Sequence, residues 1–227
     1  MELNHYGRII LGCAAVFMLA GCTSQRIAIS EKFGYAKREQ LVDRVQDARD
    51  GQEKAKQQFE SALKEFLAVT GVASADLKEL ETRYDTLNRE YNRSESRAKD
   101  VRDRIKKVDQ VAEALFKEWR KELDQYSNDE LRRHSERQFE ETRRQYDRLL
   151  EVMRTAESRM TPVLAAFKDQ VLFLKHNLNA RAISSLQQNA AQIQSDVGNL
   201  VREMEASIAE ANAFIEQMQG AGKGAGE

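Results

Sequence analysis

The sequence contains no glycine between Gly71 and Gly198, and Pro162 is the only proline in its 227 residues. Glycine and proline are the residues that most often end helices or form turns, so this interval has almost no local signal that would stop a helix. The sequence therefore predicts long helices. Charged residues make up 32% of the chain but nearly cancel, with 36 basic and 37 acidic side chains. That balance is typical of solvated helices and excludes the strongly basic surface of a nucleic-acid-binding domain.

Apolar residues recur at alternating steps of three and four, which is the spacing of helices that pack along their length. Four segments show it, from about Glu31 to Thr70, from Leu77 to Tyr126, from Leu131 to Phe167 and from Ala182 to Met218. Only Gln52 interrupts the first stripe. We therefore expect an all-α fold, an elongated antiparallel coiled-coil bundle of three to four long helices.

Capping sequences mark where these helices should begin and end. Gly71 follows the first segment, and the sequence predicts that it ends the helix as a left-handed C-terminal cap. Asp76 and Glu79 have the spacing of a capping box at the start of the second helix, and Ser127 with Glu130 have it at the start of the third. The sequence thus predicts one turn after residue 71 and another after residue 126.

Two poor helix formers lie inside the predicted helices. Gly51 costs about 1 kcal/mol relative to alanine and indicates local flexibility. Pro162 allows two interpretations, a kink in one helix or a fresh helix with Thr161 as its N-cap and the proline in its first turn. The heptad phase carries straight through the proline, which favours a kink.

The chain should fold back on itself at both ends of the third helix. If the second and third helices form an antiparallel pair, Leu178 lies near Glu79. Residues 163–179 are apolar on more than one face, through Leu172 and Phe173 among others, which predicts burial against several neighbours. Asn177 and Asn179 could permit a turn. A last helix that folds back is favoured over one that runs straight on and pairs with another chain, although a homo-oligomer formed by helix packing stays possible.

The N-terminus has the pattern of a secretory signal. Arg8 precedes an apolar run from Ile9 to Leu19, and small residues follow. Such a run is too short to cross a bilayer as a mature helix. The sequence predicts that residues 1–21 are a signal peptide.

The residues Leu19, Ala20, Gly21 and Cys22 resemble the lipobox of bacterial lipoproteins. The resemblance implies cleavage before Cys22, diacylglycerol on its thiol and a further acyl chain, such as palmitate, on its new amine. More than one chain gives lasting membrane anchoring, because each buried CH₂ contributes roughly 0.8 kcal/mol. Thr23 occupies the position where an aspartate would imply retention at the inner membrane, so the resemblance implies the periplasmic face of the outer membrane.

Four regions follow from these assignments. Residues 1–21 are the signal peptide, 22–30 the lipidated N-terminus and tether, 31–218 the helical bundle and 219–227 a flexible glycine-rich tail. The tail, GAGKGAGE from residue 220, lacks the Ser or Thr and the strand and helix of a phosphate-binding loop. Cys13 and Cys22 are the two cysteines, so the body beyond the lipidation site contains no thiol for a disulfide or a metal cluster.

No motif for catalysis, cofactor binding or metal binding is present, so we expect neither an enzyme nor a cofactor. His134 lies among charged residues and is expected to be solvated. His176 is expected to be a packed or hydrogen-bonded structural histidine. Five arginines near the start of the third helix are candidates for binding anionic lipid or glycan: Arg132, Arg133, Arg137, Arg143 and Arg144. Acidic residues lie among them and offset their charge, which favours a solvated face.

Together with the lipobox, the residues FGYAKREQLVDRV at 33–45 and MTPVLAAFKDQVLFLKHNLNARAISSL at 160–186 resemble a proteobacterial lipoprotein family catalogued as a domain of unknown function. The resemblance covers the mature body and implies a helical shape and an envelope location, but no catalytic residues. We expect a structural, scaffolding or protein-interaction role with an envelope protein as partner. The alternatives are a holdase-like periplasmic chaperone and a regulator of an envelope enzyme.

Overall fold

The computed structural model describes residues 22–71 and 76–223, and they form four long helices. The helices are α1 (Cys22–Thr70), α2 (Leu77–Leu123), α3 (Asp129–His176) and α4 (Ala180–Lys223). At 1.5 Å per residue each is roughly 65–75 Å long. The predicted all-α fold of long helices is confirmed.

The four helices form an antiparallel bundle in which sequential helices are neighbours. α1 packs against α2 and α4, and α3 packs against the same two helices. Along α2 and α3, Trp119 bonds to Ser135 and Arg102 bonds to Glu157, so residue numbers rise on one helix as they fall on the other. In the described part of the chain, α1 and α3 therefore lie at diagonally opposite corners of the bundle.

The last helix folds back, as predicted, and does not run on past α3. Gln187 Nε2 donates to the carbonyl oxygen of Thr70 at 2.7 Å, where α4 begins beside the end of α1. Further along, Arg49 donates to Asn212 at 3.0 Å. These contacts place α4 antiparallel to α1 over most of its length.

The apolar stripes form the core, because a helix in such a bundle needs one continuous buried face. In α1 every predicted stripe residue is buried, and Gln52 is buried with them. The exceptions are Leu77, Tyr126 and Leu131, which remain exposed. Leu77 and Leu131 lie in the first turns of α2 and α3, and Tyr126 lies in the turn between these two helices.

Residues 163–179 are buried on a narrower face than expected. Val171 and Leu174 are buried, but Leu172 and Phe173 are 47% and 39% exposed. The expectation that the latter two pack against several neighbours is therefore wrong. At 3.6 residues per turn they point away from the face that holds Val171 and Leu174, and the bundle has no fifth helix to cover them.

The helix starts follow the predicted capping chemistry, with one shift. Asp76 accepts a hydrogen bond from the amide of Lys78, as an N-cap should. The N-cap of α3 is Asn128 and not Ser127, because the Asn128 Oδ1 accepts from the amides of Glu130 and Leu131 at 2.9 and 3.1 Å. One side chain thereby satisfies two of the free amides of the first turn.

The α3–α4 turn uses both predicted asparagines. Asn177 ends α3, and its side chain donates to the carbonyl oxygen of Phe173 at 2.9 Å. The Asn179 Oδ1 accepts from the amide of Ala182 at 3.1 Å, so it caps the start of α4. Upstream, α3 continues through Pro162, which is exposed, so the fresh helix start at Thr161 is wrong.

Gly51 has a packing role that the sequence did not reveal. It is buried in α1, and a Cβ placed there would lie 2.7 Å from the Cδ of Arg104 on α2. Arg104 crosses this position and donates to the carbonyl oxygen of Asp47 at 3.1 Å. The glycine therefore provides room for a side chain of the neighbouring helix, and the expected flexibility is not its explanation.

Both ends of the bundle extend beyond their expected bounds. α1 begins at Cys22 and not at about Glu31, so residues 23–30, expected to be a tether, are helical. α4 continues to Lys223, into the residues expected to be a flexible tail. The predicted signal peptide and residues 224–227 lie outside the described part of the chain.

Candidate functional site

The bundle has two different ends. The near end contains the first turns of α1, the α2–α3 turn and the last turns of α4. Its level is marked by Lys37, whose Nζ lies 2.5 Å from the Oε2 of Glu118 near the end of α2. The far end contains the connection between α1 and α2 and the α3–α4 turn. The chain therefore enters the bundle at the near end.

Four aromatic side chains of α2 and α3 pack together at the near end. Phe139 makes edge-to-face contacts with Phe116 and with Trp119, with ring centroids 5.7 and 5.6 Å apart. Tyr146 lies 5.4 Å from Phe116. The Trp119 Nε1 donates to the Oγ of Ser135 at 2.9 Å, which satisfies the indole N–H inside the cluster.

Three arginines lie over these rings. Arg38 of α1 is 5.2 Å from the Trp119 centroid, Arg120 is 5.5 Å from that of Phe139, and Arg143 is 5.0 Å from that of Phe116. These distances are within the range of cation–π attraction. Burial lowers the pKa of Arg38. The guanidinium groups thus cover the aromatic cluster on its solvent side.

Tyr146 is held neutral by its surroundings. Its hydroxyl donates to Asp109 at 2.6 Å, and Arg154 donates to the other oxygen of that carboxylate at 2.9 Å. Burial raises the pKa of Tyr146, and the hydrogen bond to Asp109 raises it further. The phenol is therefore a structural donor that ties α3 to α2, since a raised pKa opposes formation of a phenolate nucleophile or base.

An open groove of about 570 Å³ runs beside the cluster between α2 and α3. Its cationic side is formed by Lys117, Arg120 and Lys121, which make no ion pair with the described side chains of residues 37–71, 76–179 and 181–220. Their spacing of three and four places them on one face of α2. Glu113 and Asp124 lie at its edges. The groove has more positive than negative side chains, unlike the balanced chain as a whole.

Glu122 lies on the other side of α2 at the same end and is half-buried. Burial raises the pKa of Glu122, the neighbouring Glu118 raises it further, and Lys37 lowers it. Glu118 and Glu122 of α2 therefore both interact with Lys37 of α1.

The histidines and the arginines of α3 do not assemble a site. His134 is exposed as expected, whereas His176, expected to be packed or hydrogen-bonded, is exposed as the last residue of α3. Among the residues whose side chains the structure describes, 37–71, 76–179 and 181–220, no three His, Cys, Asp or Glu side chains are grouped to hold a metal ion. Arg132, Arg143 and Arg144 all pair with carboxylates, which agrees with a solvated, charge-balanced face.

The far end exposes large apolar side chains. Leu172 and Phe173 lie in the last two turns of α3, and Leu77 is the first residue of α2 and is 55% exposed. Apolar side chains exposed together on a soluble surface often mark interaction sites.

Sequence reasoning placed most of the aromatic residues in the stripes but did not find the arginine–aromatic cluster. The available signal was the accumulation of Trp119, Phe139 and Tyr146 on either side of a predicted antiparallel turn. Phe116 lies next to the predicted stripe residue Leu115 and was not expected in the core, although it is buried. Arg38 gave no signal, because its ring partner is on another helix.

The structure describes one residue of the predicted lipidation site. Leu19, Ala20 and Gly21 lie outside the described residues, and Cys22 is the first residue of α1. Among the helices described, none has an apolar stretch long enough to span a bilayer.

Comparison with known proteins gives a single family assignment. No curated protein matches the chain, and no solved structure matches it. Residues 27–218, which cover nearly all of the four helices, match the family described as a protein of unknown function (DUF2959). The chain therefore belongs to this family of unknown function, as the resemblance of residues 33–45 and 160–186 to such a family predicted.

Proposed function

We propose that this protein is a bacterial outer-membrane lipoprotein, held by acyl chains on Cys22, whose helical bundle has a structural or scaffolding role in the periplasm. The bundle binds a protein partner at its far end and catalyses no reaction. The partner is another protein of the cell envelope.

The observation that carries the proposal is that the two ends of the bundle differ. Cys22 begins α1 at the near end, whereas Leu172 and Phe173 are exposed close to the far end. The helices between them are roughly 65–75 Å long. A lipid anchor at one end would therefore present the apolar surface far from the membrane, as a spacer or scaffold requires.

The packing also supports a binding role over the alternatives. The inner faces of all four helices are used for the core. Among the described residues, the exposed large apolar side chains are few and lie at the two ends. A holdase-like chaperone would need such side chains along its arms, so this distribution favours docking at an end of the bundle over binding along its length.

The anchor is tested by the change Cys22→Ser. We expect complete loss of acyl labelling and loss of the protein from the membrane fraction, because the serine hydroxyl does not replace the thiol that receives diacylglycerol. Cys13→Ser is the matched control, since Cys13 lies in the predicted signal peptide, and its labelling should be unchanged. Sedimentation of the membranes by density identifies the outer or inner membrane. Acyl labelling that persists in the Cys22→Ser variant would refute the anchor.

The docking point is tested by placing a photo-crosslinking amino acid at position 173 in cells. We expect a discrete crosslinked species from position 173, because the exposed ring of Phe173 is replaced by a probe in the proposed interface. Ala165 is the matched control, since it is exposed on the same helix about two turns away. Equal crosslinking at both positions, or none at position 173, would contradict a partner at the far end.

A further inference from the structure

We propose that the near end of the bundle is a membrane-contacting surface that binds the anionic phospholipids of the membrane holding the anchor. The surface consists of the exposed apolar residues Tyr126 and Leu131 at the α2–α3 turn and the cationic residues Lys117, Arg120 and Lys121 of α2. This inference rests on the proposed lipid anchor and adds a second, reversible contact to it.

The first observation is the exposure of two apolar side chains at this turn. Tyr126 and Leu131 continue the heptad stripes of α2 and α3, yet they are 42% and 56% exposed. Tyrosine is favoured at membrane interfaces, where its ring lies among apolar groups and its hydroxyl remains in water. A leucine and a tyrosine left uncovered at a bundle end are suited to the boundary between headgroups and acyl chains.

The second observation is the charge beside them. Lys117, Arg120 and Lys121 share one face of α2 and have no carboxylate partner among the side chains described, those of residues 37–71, 76–179 and 181–220. Of the acids near this end, Glu118 pairs with Lys37 and Asp129 pairs with Arg132, whereas Asp124 at the edge of the groove and Glu130 in the first turn of α3 make no ion pair with the side chains described. The cations are therefore available to phosphate groups, and each basic residue near an anionic surface strengthens binding about fivefold.

The third observation is the distance to the anchor. Lys37 lies level with Glu118, and α1 continues from there for 15 residues to Cys22, about 22 Å. α2 and its turn extend about 10 Å past the same level before reaching Tyr126. The turn is thus roughly 12 Å from the level of the lipidated residue. A tilt of the bundle about Cys22 closes this gap and brings the basic face of α2 onto the headgroups.

The contact is tested with the full-length acylated protein in vesicles of phosphatidylethanolamine and phosphatidylglycerol. A fluorescent label is attached at Leu131→Cys and, as the control, at Leu172→Cys near the other end, where the native leucine is similarly exposed at 47%. With Cys22 acylated, the introduced thiol is the reactive one. Lipid carrying a quencher in its headgroup should quench the label at position 131 and leave the label at position 172 unchanged.

Acylation and vesicle attachment are measured first by mass and sedimentation, so that the two proposals are judged separately. Acylated, attached protein with no quenching at position 131, or equal quenching at both positions, would overturn the membrane contact and leave the anchor intact. If the unchanged protein isolated from bacterial membranes carries no acyl chain by mass, the anchor is overturned and this inference with it.

The basic face is tested by the triple variant Lys117→Gln, Arg120→Gln and Lys121→Gln in the labelled protein. The equilibrium constant for contact should fall about fivefold per removed cation, and vesicles of phosphatidylcholine alone should reduce quenching of the unchanged protein in the same way. The matched control removes three exposed cations from the middle of the same helix, Lys99, Lys106 and Lys107. Equal quenching in the two triple variants would overturn the assignment of the basic face.

Discussion

Replacing Phe167 with alanine should lower the free energy of unfolding by about 3–5 kcal/mol. The side chain is fully buried in α3, and its ring packs edge to face on Phe66 of α1, with centroids 6.2 Å apart. These two rings meet across the centre of the bundle from opposite corners. Truncation leaves a cavity that neither α1 nor α3 can close without moving away from α2 and α4. The variant therefore loses the free energy gained by burying the ring and also bears the cost of the cavity.

The measurement is chemical denaturation, followed by the loss of helical circular dichroism. The midpoint should fall with little change of slope, and the melting temperature should fall by about 10 °C. Phe173→Ala is the matched control, because it removes the same ring from an exposed position six residues further along α3. Its effect should remain within about 0.5 kcal/mol. Similar losses in the two variants would contradict the placement of these rings.

Replacing Ser207 with alanine should lower the free energy of unfolding by about 1–3 kcal/mol. The Ser207 Oγ of α4 donates to the Oε1 of Gln52 of α1 at 2.9 Å, and both residues are fully buried. The Gln52 Nε2 already lacks a protein partner. Without the serine hydroxyl, the carboxamide keeps no partner at all, and the cost of its lost hydration is uncompensated.

A double-mutant cycle identifies this cause. Adding Gln52→Leu to Ser207→Ala should restore stability to the original level or above, because the polar group without a partner is then removed. Ser94→Ala is the matched control. That serine is also fully buried, but its hydroxyl donates to the carbonyl oxygen of Glu90 in its own helix, so its loss leaves no polar group without a partner between helices. Independent effects of Gln52→Leu and Ser207→Ala would contradict the pair.

The heptad stripes predicted the buried faces well because each helix buries one continuous row of its own side chains. Apart from its end positions, the stripe of α2 is buried or half-buried from Leu80 to Glu122. Leu77, Tyr126 and Leu131 follow the same pattern but are exposed, because burial at the end of a helix depends on which side chains of other helices lie beside it. Periodicity alone contains no information about those neighbours.

The local signals were right about where α1 ends and where α2 and α3 begin, but less precise about individual residues, since Gly71 does not adopt the left-handed backbone expected of a cap. Ser127 and Asn128 can both cap a helix, and the one that adopts the extended backbone with its oxygen over the first amides is Asn128. For Gly51, an intrahelical view suggested flexibility, whereas the cause is the side chain of Arg104 from α2. Such approaches between helices have no counterpart in the sequence around the glycine.

The amino-acid sequence by itself determined that the chain forms long helices, which face of each is buried, and that helices end near residues 71 and 126. These properties depend on interactions within a few residues of one another, namely backbone propensity, capping and the period of the apolar side chains. The tertiary structure alone decided that Gln52 meets Ser207 and that Arg38 covers Trp119. Four apolar stripes of similar character can pair in several registers, and only the simultaneous packing of all four helices selects one.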